Sequence, residues 1–94
     1  MTTFEHEGKT YTLKMTRAGI RAAESQGLNT SDMAEKPLSS LSLLAYASLY
    51  SAYKMPPNKV ASMLDDLLDS GEVDFKELFE ELSEAYIELF GLGE

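Results

Sequence analysis

The sequence predicts a small α+β domain, mainly α, in which a short N-terminal β-hairpin precedes about four helices in a bundle. Three stretches carry this expectation. Residues 75–90 place Phe75, Leu78, Phe79, Leu82, Tyr86, Leu89 and Phe90 on one helical face, with Glu77, Glu80, Glu81, Glu84 and Glu88 on the other. Residues 38–53 carry no charged side chain, as expected of a helix contacted on most sides. Residues 4–15 alternate apolar with polar around Gly8, the period of a strand.

The hairpin over 4–15 pairs 4–7 with 10–15 across Gly8-Lys9, and Tyr11, Leu13 and Met15 share one face. Gly8 supplies the positive φ of a tight turn. Two strands alone are marginal in water, so the hairpin must lie against helices. Thr16 is placed to cap a helix over 17–26, with Gly27 as the residue that ends it. Its apolar stripe (Ala18, Ile20, Ala22, Ala23) is thin. Residues 28–36 read as a polar linker, after which Pro37 favours a helix start.

The helix over 38–54 carries two adjoining stripes, one of Leu38, Leu41, Ala45, Leu49 and Ala52, the other of Tyr46, Tyr50 and Tyr53. Met55-Pro56-Pro57 ends it, because proline removes a helical donor and restrains the residue before it. Five serines and a length short of about 20 apolar residues argue against a membrane span. Asn58 is positioned to cap a helix over 59–69, which turns Val60, Met63, Leu64, Leu67 and Leu68 inward and three aspartates outward. Asp74 caps the last helix with Glu77 completing a capping box, and Gly91 is placed to stop it. No internal repeat or low-complexity tract interrupts this order.

Ninety-four residues make one domain, 1–94. A hydrophobic share of 44% is too high for a disordered chain. The absence of cysteine excludes a disulfide framework and a thiolate metal site. Residues 1–7 lack the basic and then apolar regions of a signal peptide, so export by that route is not expected. The net charge of −8 lies entirely in residues 37–94, where three basic side chains face eleven acidic ones. Residues 1–36 balance five against five. Such a surface repels phosphate backbones, and nucleic acid is not an expected partner.

Several chemical readings fail on particular residues. Residues 66–77 suggest a calcium loop, with Gly71, Asp74 and Glu77 at its sixth, ninth and twelfth positions. The third position is Leu68, which offers no oxygen to a hard cation, so a capped helix–turn–helix is expected instead. Ser70 resembles a carrier-protein attachment serine only in its acidic context, since Gly71 rather than leucine follows and a helix has just ended. His6, the one histidine, has Glu5 and Glu7 beside it, but adjacent strand residues point to opposite faces. No nucleophile–base pair stands out. The chain is therefore expected to bind rather than catalyse, with no cofactor and no metal.

Two surfaces are candidates for partner binding. The glutamate face (Glu77, Glu80, Glu81, Glu84, Glu88) is either simply solvated or a dock for a basic partner. The Tyr46, Tyr50, Tyr53 stripe is either core or interface, tyrosine being large with a polar tip. The charge-free helix holds more apolar and aromatic surface than so small a chain easily covers, which predicts a homo-oligomer.

The arrangement as a whole resembles the tail assembly chaperones of long-tailed, siphovirus-type bacteriophages. The likeness lies in the strand pair Phe4-Glu-His-Glu-Gly-Lys-Thr-Tyr-Thr-Leu-Lys-Met-Thr16 leading into a helix. It continues in the central Leu/Ala/Tyr helix ended by Met55-Pro-Pro, and in Leu64-Asp-Asp-Leu-Leu-Asp-Ser-Gly-Glu before the acidic helix over 75–90. It covers nearly the whole chain as a pattern of type and order. The resemblance implies a protein of the host cytoplasm, not retained in the mature virion. Such a protein binds the long helical tape-measure protein, keeps it soluble and recruits tail-tube subunits around it. Many members also have a longer form made by ribosomal frameshifting.

A competing expectation is an acidic DNA mimic that occupies a basic cleft on a partner. The clustered carboxylates favour it, but their spacing follows the helix period rather than a phosphate repeat. A small enzyme is the third class, and it lacks an acid–base constellation.

Overall fold

Glu7 and Gly8 both take positive φ, 53° and 80°, the conformations that a two-residue type I′ hairpin turn requires. The computed structural model that contains this turn describes residues 3–89. β1 (Thr3–His6) and β2 (Lys9–Thr12) pair antiparallel, with Thr3 opposite Thr12, Phe4 opposite Tyr11 and His6 opposite Lys9. The turn is therefore Glu7-Gly8 and not the expected Gly8-Lys9, because Lys9 is taken by the ladder.

The second strand stops at Thr12 rather than continuing to Met15, because the donors beyond it go elsewhere. The Thr12 amide donates to the Tyr53 hydroxyl at 3.0 Å, and the Lys14 amide to the Ser48 carbonyl at 3.1 Å. A segment without a ladder must still satisfy its backbone groups, and here a helix supplies the acceptors.

α1 (Arg17–Ser25) starts and stops as expected. The Gly19 amide donates to the Thr16 hydroxyl at 3.0 Å. At the other end the Gly27 amide reaches Glu24 and the Leu28 amide reaches Ala23, each at 3.0 Å. With Gly27 at φ 109°, this is a Schellman close, sealed by the burial of Leu28 and Ala23.

The stretch 28–36, expected to be a linker, holds a further helix, α2 (Thr30–Glu35). Asn29 caps it by accepting from the Asp32 amide at 2.8 Å. Six residues give no room for a helical apolar period, and Met33 alone among them packs on the core. The cap was the readable signal.

α3 (Pro37–Tyr53) forms the axis, with α1, α2, α4 (Pro57–Ser70) and α5 (Phe75–Leu89) packed against it. Leu41, Leu44, Ala47 and Leu49 are fully buried. Each leucine so buried contributes about 1.5–3 kcal/mol. The expected first stripe holds at Leu41, Ala45 and Leu49 but not at its ends, where Leu38 is 51% exposed and Ala52 is exposed. Leu44 and Ala47, in neither expected stripe, are core because the middle of α3 is enclosed on all sides. Lys54 turns left-handed at φ 54° and ends the helix.

α1 reaches α3 through a residue without a side chain. A Cβ on Gly19 would overlap the Ala47 carbonyl oxygen and stand 2.9 Å from its carbon. Thr16 and Ser51 share a hydroxyl hydrogen bond of 2.8 Å beside this crossing.

α4 begins earlier than the expected 59. Pro56 is its cap and Pro57 its first residue, so Asn58 lies inside the helix and caps nothing. Proline fits there because that position has no intrahelical partner for an amide. α4 remains helical through Ser70, as the helix–turn–helix reading of 66–77 requires, and Gly71 at φ 82° closes it. Asp74 caps α5 as expected, its carboxylate accepting from the Glu77 amide at 3.0 Å. Leu78, Leu82 and Tyr86 are its buried face, while Phe75 and Phe79 stack at 5.7 Å, half-buried. The expected places of Phe90 and Gly91 lie outside the described residues. About 70% of the described chain is helical, and no helix in it is long and apolar enough to cross a membrane.

Candidate partner-binding surface

On α5, the aligned Leu78, Leu82 and Tyr86 fix which side faces the core, and the glutamates follow from that by the helix period. Glu77, Glu80, Glu84 and Glu88 are exposed, and Glu81 is half-buried. Glu77 sits in the first turn, where a carboxylate is favoured by the amide ends of the helix. Glu81, Glu84 and Glu88 border a groove of about 540 Å³ together with Leu82, Ala85 and Leu89.

The opposite wall of that groove is Leu13, Lys14 and Met15, the segment between β2 and α1. At Leu89 it adjoins a hollow of about 220 Å³ bordered by Arg17, Ile20, Arg21 and Glu24. The acidic rim on α5 thus faces Lys14 across the groove, with Arg17, Arg21 and Glu24 beside the adjoining hollow. In the sequence, Lys14, Arg17 and Arg21 show only as part of a charge-balanced N-terminal third, which hides their proximity to α5. Spacing of four residues between Arg17 and Arg21 was the available sign of a shared helical face. On the buried face of α5, burial pushes the Tyr86 hydroxyl pKa up, with the Glu24 carboxylate adding to the shift.

The three tyrosines of α3 do not form one free stripe. Tyr46 is buried and sets its ring edge against Tyr50, with centroids 5.8 Å apart. Tyr53 meets Tyr11 edge-on at 5.0 Å and accepts the Thr12 amide. Both serve the fold, Tyr53 by anchoring the hairpin. Tyr50 is half-buried, and Lys54 Nζ lies 5.2 Å from its ring centroid. Tyr53 is half-buried as well and borders a hollow of about 330 Å³ with Lys9, Thr10, Tyr11, Met55 and Lys59.

His6 is held at the hairpin's edge. Its Nε2 lies 3.2 Å from Asp66 Oδ2 on α4, and Glu5 projects from the other face of the strand, but Glu7, in the turn and not the strand, borders the same hollow as His6. Among the described residues, no three His, Asp or Glu side chains come together as a metal-holding group.

The family model described as a domain of unknown function, DUF5055, matches residues 1–91. The chain belongs to the DUF5055 family. Every described element of this DUF5055 domain, from β1 to α5, falls inside the match, and so do both rims of the groove. No curated protein and no solved structure shows significant similarity to it.

Proposed function

We propose that this DUF5055 protein is a phage tail assembly chaperone, which binds and solubilises the tape-measure protein and helps recruit tail-tube subunits during tail morphogenesis. The reading places it in the host cytoplasm and not in the mature virion, acting by binding and not by catalysis. The observation that supports it is the groove beside α5, where half-buried Met15, Ala85 and Leu89 lie between charged side chains. The order of elements resembling that family supports it independently.

The physical logic is simple. A tape measure is a very long helix whose apolar stripes aggregate while it awaits its tube. Covering one Leu- or Phe-sized side chain is worth about 1.5–3 kcal/mol, so a few covered residues favour the soluble complex. Net negative charge then keeps the coated rod dispersed. Self-association of the chaperone along the rod belongs to the same proposal.

The DNA-mimic reading draws on the same glutamates. Against it stands Lys14 across the groove, with Arg17 and Arg21 beside the adjoining hollow, since a basic cleft closing on Glu84 and Glu88 would meet these cations as well. The two readings differ in salt response. Binding by a mimic collapses between low and moderate salt, whereas apolar burial survives screening. Capture of the tape-measure protein by tagged chain, repeated across a salt series, separates them; loss of capture at moderate salt would remove the apolar mechanism.

A further inference from the structure

The groove has a floor and two unlike rims. Met15, Ala85 and Leu89, each half-buried, form the apolar part of the floor, above the buried Leu13 and Leu82. Glu84 and Glu88 stand exposed along the α5 rim, and Lys14 stands exposed on the other, followed by Arg17 and Arg21 beside the adjoining hollow. We propose that this groove docks one amphipathic helix of a partner protein, with the partner's apolar stripe on the floor and a basic flank against Glu84 and Glu88. The inference rests on the binding role proposed above and names the site and chemistry of recognition.

Shape selects the occupant. Two copies of the chain set groove to groove would present two concave faces and leave both floors uncovered, whereas a helix about 10 Å across is convex. From Glu81 to Leu89 the rim runs about 12 Å, or roughly two helical turns, enough for apolar contacts at three- and four-residue spacing. Charge then sets orientation. A flank of lysines fits the α5 rim and an acidic flank fits Lys14, so the opposite-signed rims admit a two-flanked helix in one direction and disfavour the other.

The probe is a synthetic peptide of about 18 residues with leucines at helical spacing, lysines on one flank and glutamates on the other. Its control replaces the lysines with glutamates. Titration followed by fluorescence should show the first peptide binding about tenfold tighter than the control. Glu84→Lys with Glu88→Lys should reverse that preference, and Ala85→Glu should weaken both peptides, with circular dichroism confirming that each variant is folded. Equal affinity for the two peptides, no reversal in the charge variant, or no binding at about 1 mM would overturn the proposal. Sedimentation showing a dimer that the same substitutions dissociate would overturn it in favour of a second copy as occupant. The peptide assay is independent of any tape measure. Peptide binding without tape-measure capture removes the chaperone role and leaves the groove, and capture that ignores these substitutions does the reverse.

Discussion

Gly19 on α1 and Ala47 on α3 meet backbone to backbone, with no space for a single carbon between them. This contact fixes how near α1 lies to the axis of the bundle, and hence how the basic residues of α1 face α5. Gly19→Ala must push a carbonyl of α3 aside, and neither helix backbone yields as a side chain does. Overpacking of this kind costs about 1–3 kcal/mol. Urea denaturation should place Gly19→Ala at least 2 kcal/mol below the parent, near the upper half of that range; an equal midpoint would show that the helices separate without strain.

The two proposed caps on the C-terminal helices make a paired test. Asp74 accepts the Glu77 amide, so Asp74→Ala should cost about 1 kcal/mol. Asn58 lies inside α4, and Asn58→Ala should fall within about 0.5 kcal/mol of neutral. Thermal unfolding of both variants distinguishes them, and the opposite ranking would mean that α4 starts at 59 in solution.

Tyr53 ties the hairpin to the bundle through its hydroxyl. Tyr53→Phe keeps the ring against Tyr11 but leaves the partly buried Thr12 amide without its acceptor, a loss of about 1–3 kcal/mol. Hydrogen exchange at Thr12 should accelerate more than exchange within α3. Unchanged protection at Thr12 would show that another acceptor serves it.

What the sequence made legible, and what it hid, follows from how far each signal reaches. Thr16, Gly27 and Asp74 were readable because capping is local, involving partners within five residues. The amphipathic pattern of α5 was readable because fifteen residues repeat one period. α2 was hidden by its brevity, and the early start of α4 by two prolines that suit a stop as well as a start. Of the candidate surface, the exposure of Glu80, Glu84 and Glu88 followed from their spacing. The burial of Tyr46 did not, since a tyrosine pattern cannot say whether a neighbouring helix covers it. Nor did the groove, because Lys14 and Glu84 are seventy residues apart and only the packing of α1 and α5 on α3 sets them across from each other.

Tyr86 gives a pH dependence with a definite sign. Its hydroxyl pKa is raised by burial and by Glu24, so the folded state holds that proton more tightly than the unfolded chain does. The resulting stability is fully present below the ordinary value of 10.0 and is lost as pH rises through the folded value. Tyr86→Phe should therefore show a shallower fall in stability above about pH 10 than the parent. Parallel slopes in that range would show that Tyr86 ionises without opposing the fold.

The proposed chaperone role is to keep a long helical tape-measure protein in solution by covering its apolar stripes. Co-expression of the two, followed by co-purification at about 0.05 M and 0.5 M salt, tests it most directly. The expected result is a soluble complex recovered at both salt concentrations, weakened more by Ala85→Glu in the groove floor than by Glu80→Gln on the outer face. A tape measure that stays insoluble, with no co-purification at either salt, would contradict the claim.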